Sequence, residues 1–215
     1  MPGQGQGIAG SAPVVASQYV VFNLGGNYDL SSAYLWQIIQ PGLLGRGIKE
    51  FELYASPNAP NPVSAANPPA TYDLSGFTQI LGLSTLAQAS GSSTPTQTFA
   101  LSSATNVRQV YLKINSDWNG LTNDYVGLAE IKFEGTAIPA VLYNWANTAG
   151  GSWQTAGNWS PAGGPPTAND NVTFALNNTY TVTSGSNATV TTMNVSAGDV
   201  TLNLGSTTLE TTPSI

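Results

Sequence analysis

Ile48-Lys49-Glu50-Phe51-Glu52-Leu53-Tyr54-Ala55-Ser56 is a strand with two unlike faces. Successive strand side chains point to opposite sides, so Phe51, Leu53 and Ala55 share one face and Glu50, Glu52 and Tyr54 the other. The same period recurs near residue 130, where Ala129, Ile131 and Phe133 alternate with Glu130, Lys132 and Glu134. Outward from these, residues 19–24, 33–39, 77–83, 97–101 and 109–114 also read as strands. Gly25-Gly26-Asn27 reads as a turn, and the proline-rich stretch 57–70 as an exposed loop that no ladder can include. In the strand at 33–39, Tyr34, Trp36 and Ile38 fall together, which predicts a core-facing Trp36. No segment carries a helical period. Short alternating strands without helices predict an all-β, antiparallel sandwich for this part of the chain.

Composition narrows what such a chain does. Apolar residues make up 41%, enough for a core, while charged residues make up only 7%, against about 25% in ordinary soluble domains. The surface is left to 21 Ser, 24 Thr, 19 Asn and 23 Gly. Disorder requires low hydrophobicity with high charge, and neither is present. No window approaches the 18 apolar residues of a membrane-spanning helix. A net charge of −6 with five basic residues, none after Lys132, is a poor match for nucleic acid. The chain contains neither His nor Cys, which removes imidazole and thiolate nucleophiles and the usual zinc sites. The N-terminal sequence lacks the pattern of a secretory signal.

After Gly135 the texture changes. Residues 140–166 are rich in Gly, Asn, Trp and Pro and include Asn144-Trp145, Gly151-Ser152-Trp153 and Gly157-Asn158-Trp159-Ser160. Short β-prone pieces follow at 172–174, 180–182, 190–195 and 200–204, centred about ten residues apart and separated by small polar residues. That spacing predicts a short β-solenoid-like segment. An open solenoid end needs an apolar cover, and Trp145, Trp153 and Trp159 are suited to supply it. The expected organisation is a flexible lead-in (1–18), a sandwich (19–137), and a Trp-rich cap opening a Thr/Asn-rich solenoid (138–215).

Three blocks of the first part resemble the discoidin-like, galactose-binding-like jelly roll of bacterial surface proteins. They are Val21-Phe22-Asn23-Leu24-Gly25-Gly26-Asn27-Tyr28-Asp29-Leu30 with Leu35-Trp36, then Arg46 to Ser56, then Tyr125 to Gly135. The resemblance implies a jelly roll, sugar binding through loop aromatics, and a structural calcium for which Glu130 matches a C-terminal carboxylate ligand. The Asp-Gly-rich opening loop that supplies the other calcium ligands has no counterpart before Tyr19, so calcium is expected to matter little and no other cofactor is implied. The family's opening strand is missing too. This implies a bare sheet edge, along which residues 8–17 of a neighbouring copy are expected to lie. The second part looks like the opening of autotransporter-associated β-strand repeat proteins, on Trp153, Asn158-Trp159-Ser160, Pro165-Pro166 and Asp170-Asn171-Val172-Thr173-Phe174.

The candidate ligand site is Asp117, Trp118 and Asn119 in one loop, with Tyr125 and Arg46 as contributors. A ring flanked by polar groups suits sugar C–H faces, while the structural alternative has Trp118 packing over the sandwich end. Catalysis would rest on carboxylates such as Glu50 with Glu52, or Asp117 with Asp124. Nearby Lys49, Lys113 and Lys132 make surface ion pairs the simpler reading, and no enzyme activity is expected. Five Asn-x-Ser/Thr sequons, at Asn158, Asn171, Asn177, Asn187 and Asn194, arise readily in a Thr/Asn-rich stretch. Together these readings predict an extracellular, cell-surface location and two candidate functions. One is a structural protein that self-assembles into a fibre or layer through exposed β edges, with two different bare surfaces meeting head to tail. The other is a carbohydrate-binding, adhesive module whose partner is a cell-surface polysaccharide.

Overall fold

The computed structural model describes residues 18–57, 74–90, 96–120 and 125–211. The lead-in with its proposed donor segment 8–17, most of the proline-rich loop, Asp124 and the last four residues lie outside the described residues. The chain is all-β and divides into two compact units, residues 1–138 and 139–215. Among the described residues the only helical turns are two 3-10 turns, Leu44–Arg46 and Ala156–Asn158, and no helix is long and apolar enough to cross a membrane.

The first unit contains β1 (Tyr19–Gln37), β2 (Ile48–Ser56), β3 (Thr78–Thr85), β4 (Gln97–Ala100), β5 (Val107–Asp117) and β6 (Leu128–Ala137). Every strand pair in it is antiparallel. The order is β3-β2-β5-β1-β4, with β6 also on β1. Gly25-Gly26-Asn27 is not a turn. It is a bulge inside one 19-residue strand: Asn23 pairs with Gln109 and Tyr28 with Val107, so β1 carries extra residues against β5. Gly25 takes them up at φ +77°, a left-handed conformation that costs glycine little. The loop is fastened by Asn27 Nδ2 donating to Asn106 Oδ1 at 2.6 Å and by Ile138 N donating to the Asn27 carbonyl at 2.8 Å.

Beyond the bulge β1 runs between β4 and β6. One strand therefore serves two layers, and the layers face each other. Phe51 of β2 meets Phe99 of β4 edge-on at 5.1 Å although these strands are not ladder neighbours, and Phe22 meets Phe133 at 5.8 Å. The core between them holds Leu30, Ala33, Leu35, Phe51, Leu53, Ile80, Val110 and Leu112. The unit is a sandwich-like antiparallel fold. Trp36 is a correction to the sequence reading: Ala33, Leu35 and Gln37 are the buried side of β1, while Tyr34, Trp36 and Ile38 are half-exposed on the other. The buried Gln37 amide is tolerated there because its Nε2 donates to the carbonyls of Ile48 and Leu86.

The second unit contains β7 (Leu142–Trp145), β8 (Gly151–Ser152), β9 (Trp159–Ser160), β10 (Asn171–Phe174), β11 (Thr179–Thr183), β12 (Ala188–Val190), β13 (Thr192–Val195), β14 (Asp199–Asn203) and β15 (Leu209–Thr211). Most pairs here are parallel. β10 lies between β7 and β13, β11 between β8 and β14, and β12 beside β15. Consecutive strands thus go to three different sheets, and the next three return to the same sheets in the same order. β9 is the exception, antiparallel on the outer edge of β7 with Trp145 opposite Trp159. Trp145, Trp153 and Trp159 are at most 3% exposed and pack edge-on at 4.9 and 4.7 Å, filling the core with Phe174, Tyr180 and Val182. Their polar edges are satisfied inside: Trp145 Nε1 donates to the Asn147 carbonyl and Trp159 Nε1 to the Trp153 carbonyl.

Candidate functional site

Three chain segments are tied together at one end of the first unit. The 3-10 turn Leu44–Arg46 closes the link from β1 to β2, and Gly47 then bridges to Gly127. Gly127 N donates to the Arg46 carbonyl at 2.8 Å and Trp118 N to the Gly47 carbonyl at 3.2 Å. These bonds bring residues 44–47, 117–120 and 125–127 side by side. Arg46, Asp117, Trp118, Asn119 and Tyr125 therefore share one loop cluster.

Each side chain has a defined setting. The Arg46 guanidinium carbon lies 5.0 Å from the centroid of the Tyr125 ring, and Tyr125 is 65% exposed. Among the described residues the buried Arg46 Nε has no hydrogen-bond partner. Lys49 Nζ sits 5.4 Å over the Trp118 ring, and Trp118, half-buried, donates its Nε1 to the Leu86 carbonyl at 3.1 Å. Trp118 thus covers the sandwich end with one edge and meets a cation with its face. Asp117 is buried. Its Oδ1 accepts from Asn119 N at 3.1 Å, and its Oδ2 has no partner among the described residues. Burial pushes its carboxyl above the ordinary value, against backbone donors from Asn119, Gly120 and Asp117 itself that pull the other way. Asn119 is exposed, and its side chain occupies the space over Gly45, where a Cβ would lie 1.6 Å from Asn119 Oδ1.

Glu130 is elsewhere. It is exposed on β6 opposite Trp36 and lines a shallow depression of about 410 Å³ with Trp36, Ile38, Ile39 and Ala129. Among the described residues no three His, Cys, Asp or Glu side chains gather as a metal site. The expected surface ion pairs reduce to one among the described residues, Lys113 Nζ to Glu52 Oε2 at 2.6 Å. Lys49 lies over Trp118, and Lys132 lies 5.4 Å over Tyr34, whose hydroxyl donates to Glu134. Glu52 also accepts from Asn115, Tyr54 and Gln79. Burial raises its pKa, but the Lys113 and Asn115 hydrogen bonds outweigh this and hold it below the ordinary value. Glu50 accepts from Ser116 Oγ at 2.7 Å. Both acids are engaged by donors on the neighbouring strand, the arrangement of a structural cluster.

What the loop cluster offers is two cations held on two ring faces, beside the exposed amide of Asn119. Lys49 and Leu86 belong to it although neither stands out in the sequence. The strand period gives no cue for Lys49, because β2 shifts register against β5 between Ile48 and Phe51: both of these are buried, and Lys49 and Glu50 between them are half-buried. Compared with models of protein families and with curated proteins, the chain matches none.

Proposed function

We propose that the protein is an extracellular, cell-surface structural protein that self-assembles into a fibre or layer through exposed β edges. The first unit is read as a discoidin-like jelly roll and the second as a β-solenoid with a Trp-rich cap. The observation that carries the reading is edge chemistry. Among the described residues β3 is an end strand of its sheet, has no charged residue, and exposes 65% of Leu83. β13, β14 and β15 each pair on one side only among the described residues. Soluble proteins usually guard such edges with lysine, proline, other charges or a bulge: these strands contain no Lys or Pro, β14 and β15 carry one acid each, Asp199 and Glu210, and β3 shifts register twice against β2. Light scattering across a concentration series and negative-stain microscopy test it. Ordered polymers are expected, and a monomer persisting at about 1 mM would refute it, since micromolar to millimolar association is what bare edges sustain.

The second reading, a carbohydrate-binding adhesive module, is favoured by the Arg46–Tyr125 and Lys49–Trp118 pairs. A ring face stacks on a sugar's C–H face while an adjacent cation or amide takes its hydroxyl or carboxylate oxygens. A glycan array decides it: selective binding lost in both Trp118→Ala and Tyr125→Ala supports this reading, and no binding to any glycan refutes it.

A further inference from the structure

The second unit has one covered end and one open end. At the first, β9 lies antiparallel on the edge of β7. At the other, β13, β14 and β15 have nothing on their outer edges among the described residues. The inward side chains record the difference. Val172, Tyr180 and Val182 are at most 4% exposed, and each is covered by the residue that pairs with it one layer on: Met193, Val200 and Leu202. Those three are only half-buried, as is Leu209. The missing cover is another layer of the same kind, with apolar residues inward and Thr or Asn outward.

The hydrogen-bond phase of β14 says how such a layer can attach. Asp199 N donates to the Asn178 carbonyl, and the Asn203 carbonyl accepts from Ser184 N. In a parallel ladder the N–H and C=O of one residue point to the same side. Residues 199, 201 and 203 therefore bond β11, and the amides of Val200 and Leu202 point to the free edge. An antiparallel copy of β14 centred on Thr201 sets Val200 opposite Leu202 and Leu202 opposite Val200. Both are then hydrogen-bonded pairs, inward side chain meets inward side chain, and Thr201 faces Thr201. Asp199 falls opposite Asn203 of the other copy, so an amide rather than a carboxylate meets it. The strand satisfies itself about a two-fold axis, and that axis sets β13 of each copy beside β15 of the other.

The geometry points to a second copy of this chain as the occupant, bound end to end through β13, β14 and β15 in a closed two-fold contact. The contact is isologous, so it makes dimers and not the head-to-tail chain expected from the sequence. A fibre would need a further contact on the first unit. The inference rests on the self-association reading above and names its surface.

The chain has no cysteine, which makes the test clean. Thr201 is exposed, with its amide turned to β11, so substitution there leaves the fold's own bonds intact. Thr201→Cys should cross-link to a disulfide dimer on mild oxidation, because directly opposite, non-hydrogen-bonded residues have Cα atoms about 4.5 Å apart. Thr181→Cys, exposed one layer inside, should not. Light scattering of the full chain should give at least twice the monomer mass, and Thr201→Lys, which sets two ammonium groups against each other, should lower that mass with an unchanged far-UV spectrum. Polymers that persist in Thr201→Lys, with no cross-link forming in Thr201→Cys, would overturn this contact and leave self-assembly standing. A dimer lost in Thr201→Lys, with no larger species in the parent, would establish the contact and refute the fibre. A monomeric parent without cross-linking would sink both.

Discussion

Trp159→Ala is the sharpest probe of the second unit. Trp159 is 3% exposed and packs against Trp145 at 4.9 Å, Trp153 at 4.7 Å, Phe174 at 6.0 Å and Tyr143 at 6.4 Å. Removing a buried indole of this kind costs about 3–5 kcal/mol in lost transfer energy and cavity. The indole N–H also bonds the Trp153 carbonyl at 2.8 Å, and an orphaned buried acceptor adds about 1–3 kcal/mol. A unit of 77 residues has a total stability of about 4–12 kcal/mol on ordinary per-residue values. The substitution therefore removes a large share of it or all of it. Urea titration followed by near-ultraviolet circular dichroism reads this directly, because three of the five tryptophans lie in this unit. With a slope of about 1 kcal/mol/M, a loss of 3 kcal/mol moves the midpoint by about 3 M. Phe51→Ala, in the other core, serves as the control for the first unit. A midpoint shift below about 1 M in Trp159→Ala would refute the packing argument, since it would mean the ring is not part of a closed core.

Asp117→Asn should raise the melting temperature at pH 7: burial holds the folded carboxyl above its ordinary value of 3.8, so its charged form is disfavoured in the fold. The gain should fade as pH falls through the folded value and be gone below 3.8, where both states are protonated, and a loss at pH 7 would mean that Oδ2 has a partner. The Glu52–Lys113 pair has the opposite acid dependence. Glu52 is held below 4.5, so its stabilisation is present above 4.5 and lost as pH falls through the folded value. Lys113, raised from 10.5 chiefly by the Glu52 hydrogen bond, keeps its share below 10.5 and loses it as pH rises through its own folded value. Glu52→Gln should therefore lose about 0.2–1 kcal/mol between these limits, the range for a solvent-accessible pair, and an unaltered pH profile would refute the coupling. If the chain is expressed in a glycosylating host, peptide mapping should find Asn158 unmodified and the exposed Asn177, Asn187 and Asn194 open to modification. Asn158 is 8% exposed and its amide is used twice, accepting from Asn147 Nδ2 and donating to the Ser152 carbonyl.

The strand period in Ile48–Ser56 was legible because its buried and exposed sides differ sharply in polarity: Phe51, Leu53 and Ala55 against Glu50 and Glu52. In β1 the same rule points the wrong way. Tyr34, Trp36 and Ile38 outweigh Ala33, Leu35 and Gln37 in apolar area, yet the lighter set is inside. What tips the balance is remote in sequence. Carbonyls of Ile48 and Leu86 accept from Gln37 Nε2, and Lys132 and Glu134 of β6 gather round Tyr34 on the outer face. That Arg46, Asp117, Trp118, Asn119 and Tyr125 lie outside or at the ends of strands follows from the sequence pattern, and the bonds among residues 44–47, 117–120 and 125–127 bring them side by side. The stacking of Lys49 on Trp118 was not legible, because it depends on how two ends abut.

The pairing in the second unit shows where local reading stops. Strands of two to five residues separated by Asn, Ser or Gly fit hairpins as well as they fit a chain that moves on to a new sheet after every strand. Turn chemistry cannot separate the two, because both need small polar residues at the corners. The distinguishing signal is recurrence at longer range. Asn171 pairs with Thr192, Thr179 with Asp199 and Ala188 with Leu209, offsets of 21, 20 and 21 residues. A hairpin would instead pair each strand with its neighbour in sequence, setting Phe174 near Thr179. Here Phe174 lies beside Val195 and its ring packs on Trp145, Trp153 and Trp159. A tryptophan-filled core with strands on three sides needs consecutive strands on different sides of it. The near-constant offset is what remains of that requirement in the sequence, where it shows only as short β-prone pieces about ten residues apart.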